Sequence, residues 1–216
     1  MERILSYHDR GQLDERIAEA ERRTKAQIVL AVIKRSDSHD ELPWKAFVLG
    51  TSIVGLLVFI LDSLLRYWTS HTMVLLAVTA PLAVGAAFAL LAVFVPGFAR
   101  LFLSAHRAEV EVRQYAESLF LSRELFATGR RTGILLLVSL FERQVVLLPD
   151  KGLSNRLTKD AMQDIIARMV SPLARNEVNR ALEVGLERLS QVLETSAPAG
   201  EGENELPDEI IEEKGV

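Results

Sequence analysis

Two long apolar segments lie in the interior of this chain, and they constrain its fold more than any other feature. Residues 46–61 (AFVLGTSIVGLLVFIL) and residues 73–99 (MVLLAVTAPLAVGAAFALLAVFVPGFA) contain no charged side chain. A helix needs about 20 apolar residues to cross the hydrocarbon core of a bilayer. The second segment exceeds this length, and the first reaches it when extended to 44–65. The sequence therefore predicts a transmembrane helical hairpin over residues 44–103, with helices near 44–65 and 73–99.

An even number of crossings returns the chain to the side of the membrane that it left. The polar segments 1–43 and 104–195 can then fold together as one domain, followed by an acidic tail at 196–216. A fully soluble protein that buries the hairpin inside its own fold is the alternative, because a buried helix pair has the same apolar composition.

The charges around the hairpin predict its orientation. Three basic residues, Lys34, Arg35 and Lys45, are counted before the first span, and three more, Arg100, Arg107 and Arg113, after the second. The connecting loop contains only Arg66. Because basic residues accumulate on the cytoplasmic side, this distribution places the soluble domain and both termini in the cytoplasm. The charged N-terminal segment lacks an apolar export signal. We therefore expect a protein of the inner (cytoplasmic) membrane with two spans.

Composition excludes several classes of function. The chain has a net charge of −4, and since residues 196–216 carry −6, residues 1–195 are close to +2. A body this near to neutrality, without a basic stripe, does not predict nucleic-acid binding. The chain has no cysteine, so disulfides, thiolate chemistry and cysteine zinc sites are excluded. The acidic tail is predicted to be disordered, with Ile210 and Ile211 either anchoring a partner or belonging to a solubilising tail.

The segments that flank the hairpin alternate between helix and strand patterns. The predicted elements are a helix at 9–24, a strand at 27–34, a helix at 105–127, strands at 134–140 and 143–149, and helices at 157–170 and 177–194. The first two strands, joined by a helical crossover, should be parallel, and the third should be antiparallel at or near an edge. The predicted fold class is α/β: a small αβα sandwich with a mixed three- to four-stranded sheet, interrupted by the two-helix transmembrane hairpin.

Two blocks of this sequence resemble the TPM-domain family. The first is RIAEAERRTKAQIVLAVIKRS at 16–36, a helix followed by a strand. The second is TGRRTGILLLVSLFERQVVLLPDKGL at 128–153, in which a glycine opens a strand and an Asp/Gly-containing segment follows the next strand. The resemblance covers roughly residues 13–36 and 105–193. The family includes bacterial membrane-associated proteins and a thylakoid protein linked to photosystem II repair.

The resemblance also implies an acidic, metal-associated edge and a metal-dependent phosphatase activity, but this chain departs from the pattern there. Many members have an Asp-Asn pair just before the strand glycine, where this chain has Arg131 and Thr132. Familiar members often begin with a signal peptide, place the domain outside the cytoplasm and put a span after it, whereas the apolar segments of this chain lie inside the domain pattern. Calcium-type binding and phosphatase activity are therefore less strongly implied here than in the family.

The remaining polar cluster offers a candidate metal site. Asp37 and Asp40 lie in the loop after the first strand, beside His39 and Glu41, and Asp150 follows the third strand. If these strand ends meet, Asp37, Asp40 and Asp150 can bind a hard divalent cation such as calcium. The alternative is that all three are solvated loop carboxylates near basic side chains. No other cofactor is predicted.

Two further features have competing interpretations. Small residues around Gly85 favour close packing on Gly50, Ser52 and Gly55 of the first span, either within the hairpin or between copies. The pair at 142–143 is either part of a tight turn or a partner-binding tip.

Two functional hypotheses follow from these observations. The first is a membrane-anchored TPM-like protein that acts as a non-enzymatic accessory or assembly factor for another membrane protein, with the bilayer and that protein, or a second copy, as partners. The second is a metal-dependent phosphatase of the TPM family. Common nucleotide-binding, zinc-protease and serine-hydrolase motifs do not occur in the sequence.

Overall fold

The computed structural model describes residues 5–65, 71–195 and 210–215. The chain divides into two compact units, one formed by Met1–Asp37 with His106–Val216 and the other by Ser38–Ala105. We call the first the α/β unit and the second the helical unit.

The helices and strands follow one another in the order that the sequence predicts, with two additions. The second apolar helix, predicted at 73–99, ends at Phe94 and a short helix follows from Pro96, and a strand is added at the end. In chain order they are α1 (Tyr7–Thr24), β1 (Gln27–Arg35), α2 (Glu41–Leu65), α3 (His71–Phe94), α4 (Pro96–Ala99), α5 (Ala105–Ser122), β2 (Gly133–Ser139), β3 (Gln144–Pro149), α6 (Lys159–Ala174), α7 (Val178–Glu194) and β4 (Ile211–Gly215). Local signals set the helix ends. The Ser6 hydroxyl accepts the Asp9 N–H at the start of α1, and Thr158 caps α6 in the same way.

The four strands form one mixed sheet in the order β3-β2-β1-β4. β1 and β2 are parallel, joined by a crossover, and β3 runs antiparallel to β2 at an edge. The predicted pairing of these three strands is confirmed. The register aligns Gln27 with Gly133 at one end of the sheet and Ile33 with Ser139 at the other.

Helices cover the sheet on both faces. β1 and β2 are continuous apolar runs whose alternate side chains point to opposite faces. One face packs on α1, α6 and α7, through residues that include Leu13, Met169 and Leu186. The other face packs on α5 through Val112 and Ala116. The predicted αβα sandwich with a mixed sheet is therefore confirmed.

The prediction of a disordered tail at 196–216 is wrong for its last described residues. Residues 211–215 form β4, which pairs parallel with β1, and Ile210 and Ile211 are buried in the cores on opposite faces of the sheet. Two apolar residues among acids show no periodicity, so the sequence contains no strand signal. The segment becomes a strand because the edge of β1 that faces away from β2 provides backbone groups for it to pair with. Residues 196–209 and 216 lie outside the described part of the chain.

The helical unit contains two helices that are long and apolar enough to cross a membrane by length and composition, Glu41–Leu64 and His71–Phe94. They pack on each other at their small residues. A Cβ at Gly85 would lie 2.2 Å from the Thr51 Oγ1, and one at Gly50 would lie 2.9 Å from the Phe88 Cγ. The predicted close packing within the hairpin is therefore confirmed for these two glycines, whereas a Cβ at Gly55 would contact nothing.

Candidate functional site

The most organised polar site of the α/β unit lies where β2 begins and β3 ends. Residues 128–132 form a tight turn before β2. The Arg131 N–H donates to the Thr128 carbonyl at 3.0 Å, and the Thr132 N–H donates to the Thr128 hydroxyl at 3.0 Å. Arg131 adopts a left-handed conformation with φ of +56°. This turn fixes the backbone from which the Arg131 side chain extends.

Backbone hydrogen bonds join this turn to the end of β3. The Asp150 N–H donates to the Gly133 carbonyl at 2.8 Å, and the Gly152 N–H donates to the Arg131 carbonyl at 2.9 Å. A Cβ at position 152 would lie only 2.3 Å from the Arg130 carbonyl oxygen. A glycine at position 152 is therefore required for the two segments to approach this closely, which explains the glycine of the Asp-Lys-Gly sequence.

An ion pair between Arg131 and Asp150 occupies the centre of the site. The Arg131 Nε and Nη2 donate to the two Asp150 oxygens, at 2.7 and 3.1 Å, and the Lys151 N–H donates to Oδ1 at 2.7 Å. The Asp150 side chain is only 5% exposed, whereas that of Arg131 is 50% exposed. The guanidinium carbon also lies 6.0 Å from the centre of the Phe126 ring. Both carboxylate oxygens are thus engaged by donors of the protein itself.

The electrostatics of the pair favour the charged forms. Burial alone would raise the pKa of the Asp150 carboxyl, but hydrogen bonds from Arg131 and the Lys151 N–H outweigh this effect and hold that pKa below its ordinary value. The same pairing raises the pKa of Arg131. At neutral pH the site therefore contains a carboxylate matched by a guanidinium.

The donor set at this edge does not fit a divalent cation. A calcium ion needs several oxygen ligands, and here the Asp150 oxygens already accept three hydrogen bonds. The guanidinium of Arg131 faces that carboxylate, and its positive charge would repel a metal ion. In this chain the arginine supplies the charge that a cation would provide, so we derive no metal chemistry here.

The structure does not bring the predicted metal ligands together. Asp150 follows β3, whose end pairs with the start of β2, while Asp37 follows the opposite end of β1. About 30 Å of strand separates these two ends of the sheet. Asp37 lies instead 3.8 Å from Arg107, which also pairs with Glu111. Asp40 belongs to the helical unit.

Glu142 is a buried carboxylate whose hydrogen-bond partners the sequence does not reveal. Its Oε1 accepts the Ser36 N–H at 2.9 Å and the Ser36 hydroxyl at 2.8 Å, and its Oε2 accepts the Ser139 hydroxyl. The side chain ties the β2–β3 turn to the end of β1. Glu142 is buried, which agrees with the interpretation of the pair at 142–143 as part of a tight turn. No sequence signal marks it, since its partners depend on the β1–β2 register.

A second polar contact that the sequence did not reveal lies beside β4. The Tyr115 hydroxyl of α5 donates to the Glu213 Oε2 at 2.6 Å, and the Arg123 Nη2 donates to Oε1 at 3.2 Å. Burial and the neighbouring carboxylate raise the pKa of Tyr115. The phenol thus stays protonated and acts as a donor to the terminal strand.

The cleft between α1 and α7 has a charged lining but no convergent catalytic group. Two ion pairs lie in it: the Arg16 Nη2 is 3.5 Å from the Glu183 Oε1, and the Arg23 Nε is 2.8 Å from the Glu194 Oε1. These exposed pairs are typical of a solvated helix–helix groove.

Comparisons with known proteins agree with this fold. The sequence model of a family described as "TPM domain" matches residues 96–192. A similar solved structure is the NMR structure of BA42 protein from the psychrophilic bacterium Bizionia argentinensis sp. nov., with a TM-score of 0.59 and 14% identity over 98% of this chain and 97% of that chain. At that identity the likeness shows the fold alone. No curated protein matches. The resemblance to the TPM-domain family is therefore confirmed by a family model that matches residues 96–192.

Proposed function

We propose that this chain is a membrane-anchored TPM-domain protein that acts as a non-enzymatic accessory or assembly factor for another membrane protein. The observation that carries the proposal is the apolar surface of α2 and α3. Only 6% of the apolar window of the first helix and 11% of that of the second are buried. The proposal therefore places these helices in the bilayer as a hairpin.

The exposed side chains of the hairpin are of the kind that lipid covers. On α2 they include Trp44, Val48, Leu49, Ile53, Leu56, Leu57, Phe59, Ile60, Leu61 and Leu64, and on α3 they include Met73, Val74, Leu75, Leu76, Val78, Leu82, Leu90, Leu91, Val93 and Phe94. Soluble proteins rarely expose apolar patches of this extent to water. A buried hairpin within a soluble domain would instead show most of these side chains enclosed.

The chemistry of the α/β unit supports a role without catalysis. Asp150, the carboxylate nearest to the family's metal-associated edge, is already neutralised by Arg131. In the α1–α7 cleft, Arg16 and Arg23 form ion pairs with Glu183 and Glu194. We therefore assign the α/β unit to protein–protein contact, with another membrane protein or a second copy as partner. The basic residues around the spans favour a cytoplasmic location for this unit at the inner membrane.

Three assays on the full-length protein test the proposal. The chain should remain in the pellet when membranes are washed with carbonate at high pH, whereas a peripheral protein would be released. Crosslinking in native membranes should capture a defined membrane protein or a second copy. The purified protein in detergent should hydrolyse no phosphate ester in the presence of calcium or magnesium. Hydrolysis that Asp150→Asn abolishes and Asp160→Asn preserves would overturn the non-enzymatic assignment in favour of the phosphatase. Release by carbonate would overturn the membrane anchor.

A further inference from the structure

The edge of β1 that faces away from β2 is covered by a strand from the far end of the chain. β4 pairs in parallel with β1, with Ala31 aligned with Ile211 and Ile33 aligned with Glu213. An uncovered edge of this kind presents unpaired N–H and C=O groups that accept another strand. The terminal segment therefore acts on β1 as an added strand, in the way that extended peptides bind to sheet edges in other proteins.

Side chains of the terminal segment enter sites formed by the rest of the α/β unit. Ile210 and Ile211 are 1% and 6% exposed and join the cores on opposite faces of the sheet. Two residues further on, the Glu213 carboxylate receives hydrogen bonds from Tyr115 and Arg123 of the α5 region. Two buried apolar residues followed by a recognised carboxylate define a short binding motif.

The backbone of the segment is also held by a side chain outside the sheet. The Arg10 Nη2 donates to the Ile210 carbonyl at 2.8 Å, which fixes the point where the segment enters the edge. Contacts thus come from α1, β1 and α5. The strand is recognised on three sides, which gives the site selectivity for sequence as well as for extended backbone.

The chain segment from residue 195 to residue 210 is longer than the distance between its two ends requires. At one end Glu194 pairs with Arg23 at 2.8 Å, and at the other Ile210 contacts Arg10. Arg10 and Arg23 lie on the same helix, about 20 Å apart along its axis. Fifteen peptide steps from residue 195 to residue 210 reach at most about 50 Å. The excess length lets the segment leave its own β1 edge and reach the edge of a neighbouring molecule.

We propose that the β1 edge is a strand-docking site for an extended acidic segment of the form Ile-Ile-Glu-Glu, occupied in cis by residues 210–213 and open in trans to the same segment of a second copy of this chain. Tethering raises the local concentration of the cis segment to the millimolar range for a short linker. The cis segment therefore limits access, and its release opens the site to exchange between copies.

The first test compares peptide binding to three forms of the full-length protein. The probe is a fluorescent peptide of residues 207–216 (PDEIIEEKGV). The first form is the unmodified chain. The second is the variant Ile211→Asp, in which the terminal segment should no longer dock on β1. The third is a chain with a protease site inserted after Gly202, measured before and after cutting. We expect the peptide to bind Ile211→Asp at least about tenfold more tightly than the unmodified chain, because the cis competitor is removed.

The cut-linker form keeps the test decisive if Ile211→Asp does not fold. Cutting leaves every described residue in place and should raise the peptide affinity in the same direction. A peptide with Ile211→Asp, and one with Glu213→Lys, should bind at least about tenfold more weakly than the native peptide, since each loses a buried or charged contact. Equal affinity of the native peptide before and after cutting, or no saturable binding after cutting, would overturn the proposal.

The second test measures exchange between copies. The cut protein carries a fluorophore on its terminal fragment through Val216→Cys, which gives a unique thiol because the chain has no cysteine. It is mixed with an affinity-tagged second preparation that is cut but unlabelled. We expect the label to appear on the tagged protein, and an excess of native peptide to prevent the transfer. If the label stays on its original molecule, the terminal strand is a permanent part of the core, and the proposed docking site is overturned.

Discussion

Replacement of Glu142 tests how far one buried carboxylate holds the sheet and its turn together. The side chain accepts hydrogen bonds from the Ser36 N–H, the Ser36 hydroxyl and the Ser139 hydroxyl. In Glu142→Ala all three donors lose this acceptor. The hydroxyls can rotate toward other partners, but the Ser36 N–H is fixed by the backbone and lies in a buried residue. Each buried donor left unsatisfied costs about 1–3 kcal/mol.

We therefore expect Glu142→Ala to lower the free energy of unfolding by about 3 kcal/mol, which counts the N–H near the upper end of the range and no loss for the two hydroxyls, because they can rotate toward other partners. For a chain of this size each kcal/mol corresponds to about 2–4 °C, which gives a fall in the melting temperature of about 6–12 °C. Glu142→Gln keeps an oxygen acceptor and should lose about 1 kcal/mol.

Thermal unfolding followed by circular dichroism, on the full-length protein in detergent, measures these differences. Glu187→Ala is the matched control, because Glu187 is exposed on α7, and its melting temperature should match that of the native protein. Hydrogen exchange should show faster exchange of the Ser36 amide in Glu142→Ala alone. Equal melting temperatures for Glu142→Ala and the Glu187→Ala control would refute the reasoning, because the Glu142 carboxylate would then not stabilise the turn.

Two further substitutions test the Arg131–Asp150 pair and the packing of the hairpin. Arg131→Met should have a lower melting temperature at neutral pH than the control variant Arg130→Met, in which an exposed neighbour is replaced, and this difference should disappear in acid. The reason is that the pKa of the Asp150 carboxyl is depressed in the folded state. The stabilisation from the Asp150 carboxylate is therefore present above the unfolded-state pKa and is lost as the pH falls through the folded-state pKa. A difference that persists unchanged in acid would contradict this origin. Gly85→Leu should separate α2 from α3, because a Cβ there overlaps Thr51, whereas Gly55→Leu has open space; protease sensitivity of the hairpin in detergent measures this, and equal sensitivity of the two variants would show that the predicted contact is absent.

The sequence predicted the elements whose signals are local and strong. The run at 27–34 is apolar without alternation, which indicates a strand covered on both faces, and a helical crossover to the next strand implies parallel pairing. Both features are present in β1 and β2. The two apolar segments likewise predicted the two long helices, because length and composition alone identify such helices.

Features that depend on tertiary pairing were not accessible in this way. The terminal segment has only two apolar residues, Ile210 just before β4 and Ile211 at its start, and the strand conformation of β4 comes from the edge of β1. The burial of Glu142 likewise follows from the alignment of β1 with the β2–β3 turn. These positions acquire their roles from residues that are more than 100 positions away in the chain.

The separation of Asp37 from Asp150 follows from strand directions that the sequence already predicts. A third strand antiparallel to the second must end where the second begins. Asp150 therefore lies at the end of the sheet opposite to the one where β1 ends, which Asp37 follows. The direction of the strands therefore separates these carboxylates before any side-chain geometry is considered. The arginine at position 131 was visible as a departure from the family pattern, but its bidentate pairing with Asp150 required the left-handed turn conformation.

The membrane hairpin is tested most directly by site-specific labelling, and the absence of cysteine makes this measurement simple. Ser70→Cys places one thiol in the segment that connects α2 and α3, and Lys159→Cys places one on the exposed start of α6. A membrane-impermeant maleimide is added to intact cells whose outer layers are permeable to it. We expect Ser70→Cys to react at once and Lys159→Cys to react only after the inner membrane is opened. Equal labelling of both thiols before opening, or of neither until it is opened, would contradict a two-span hairpin with the α/β unit on the cytoplasmic side.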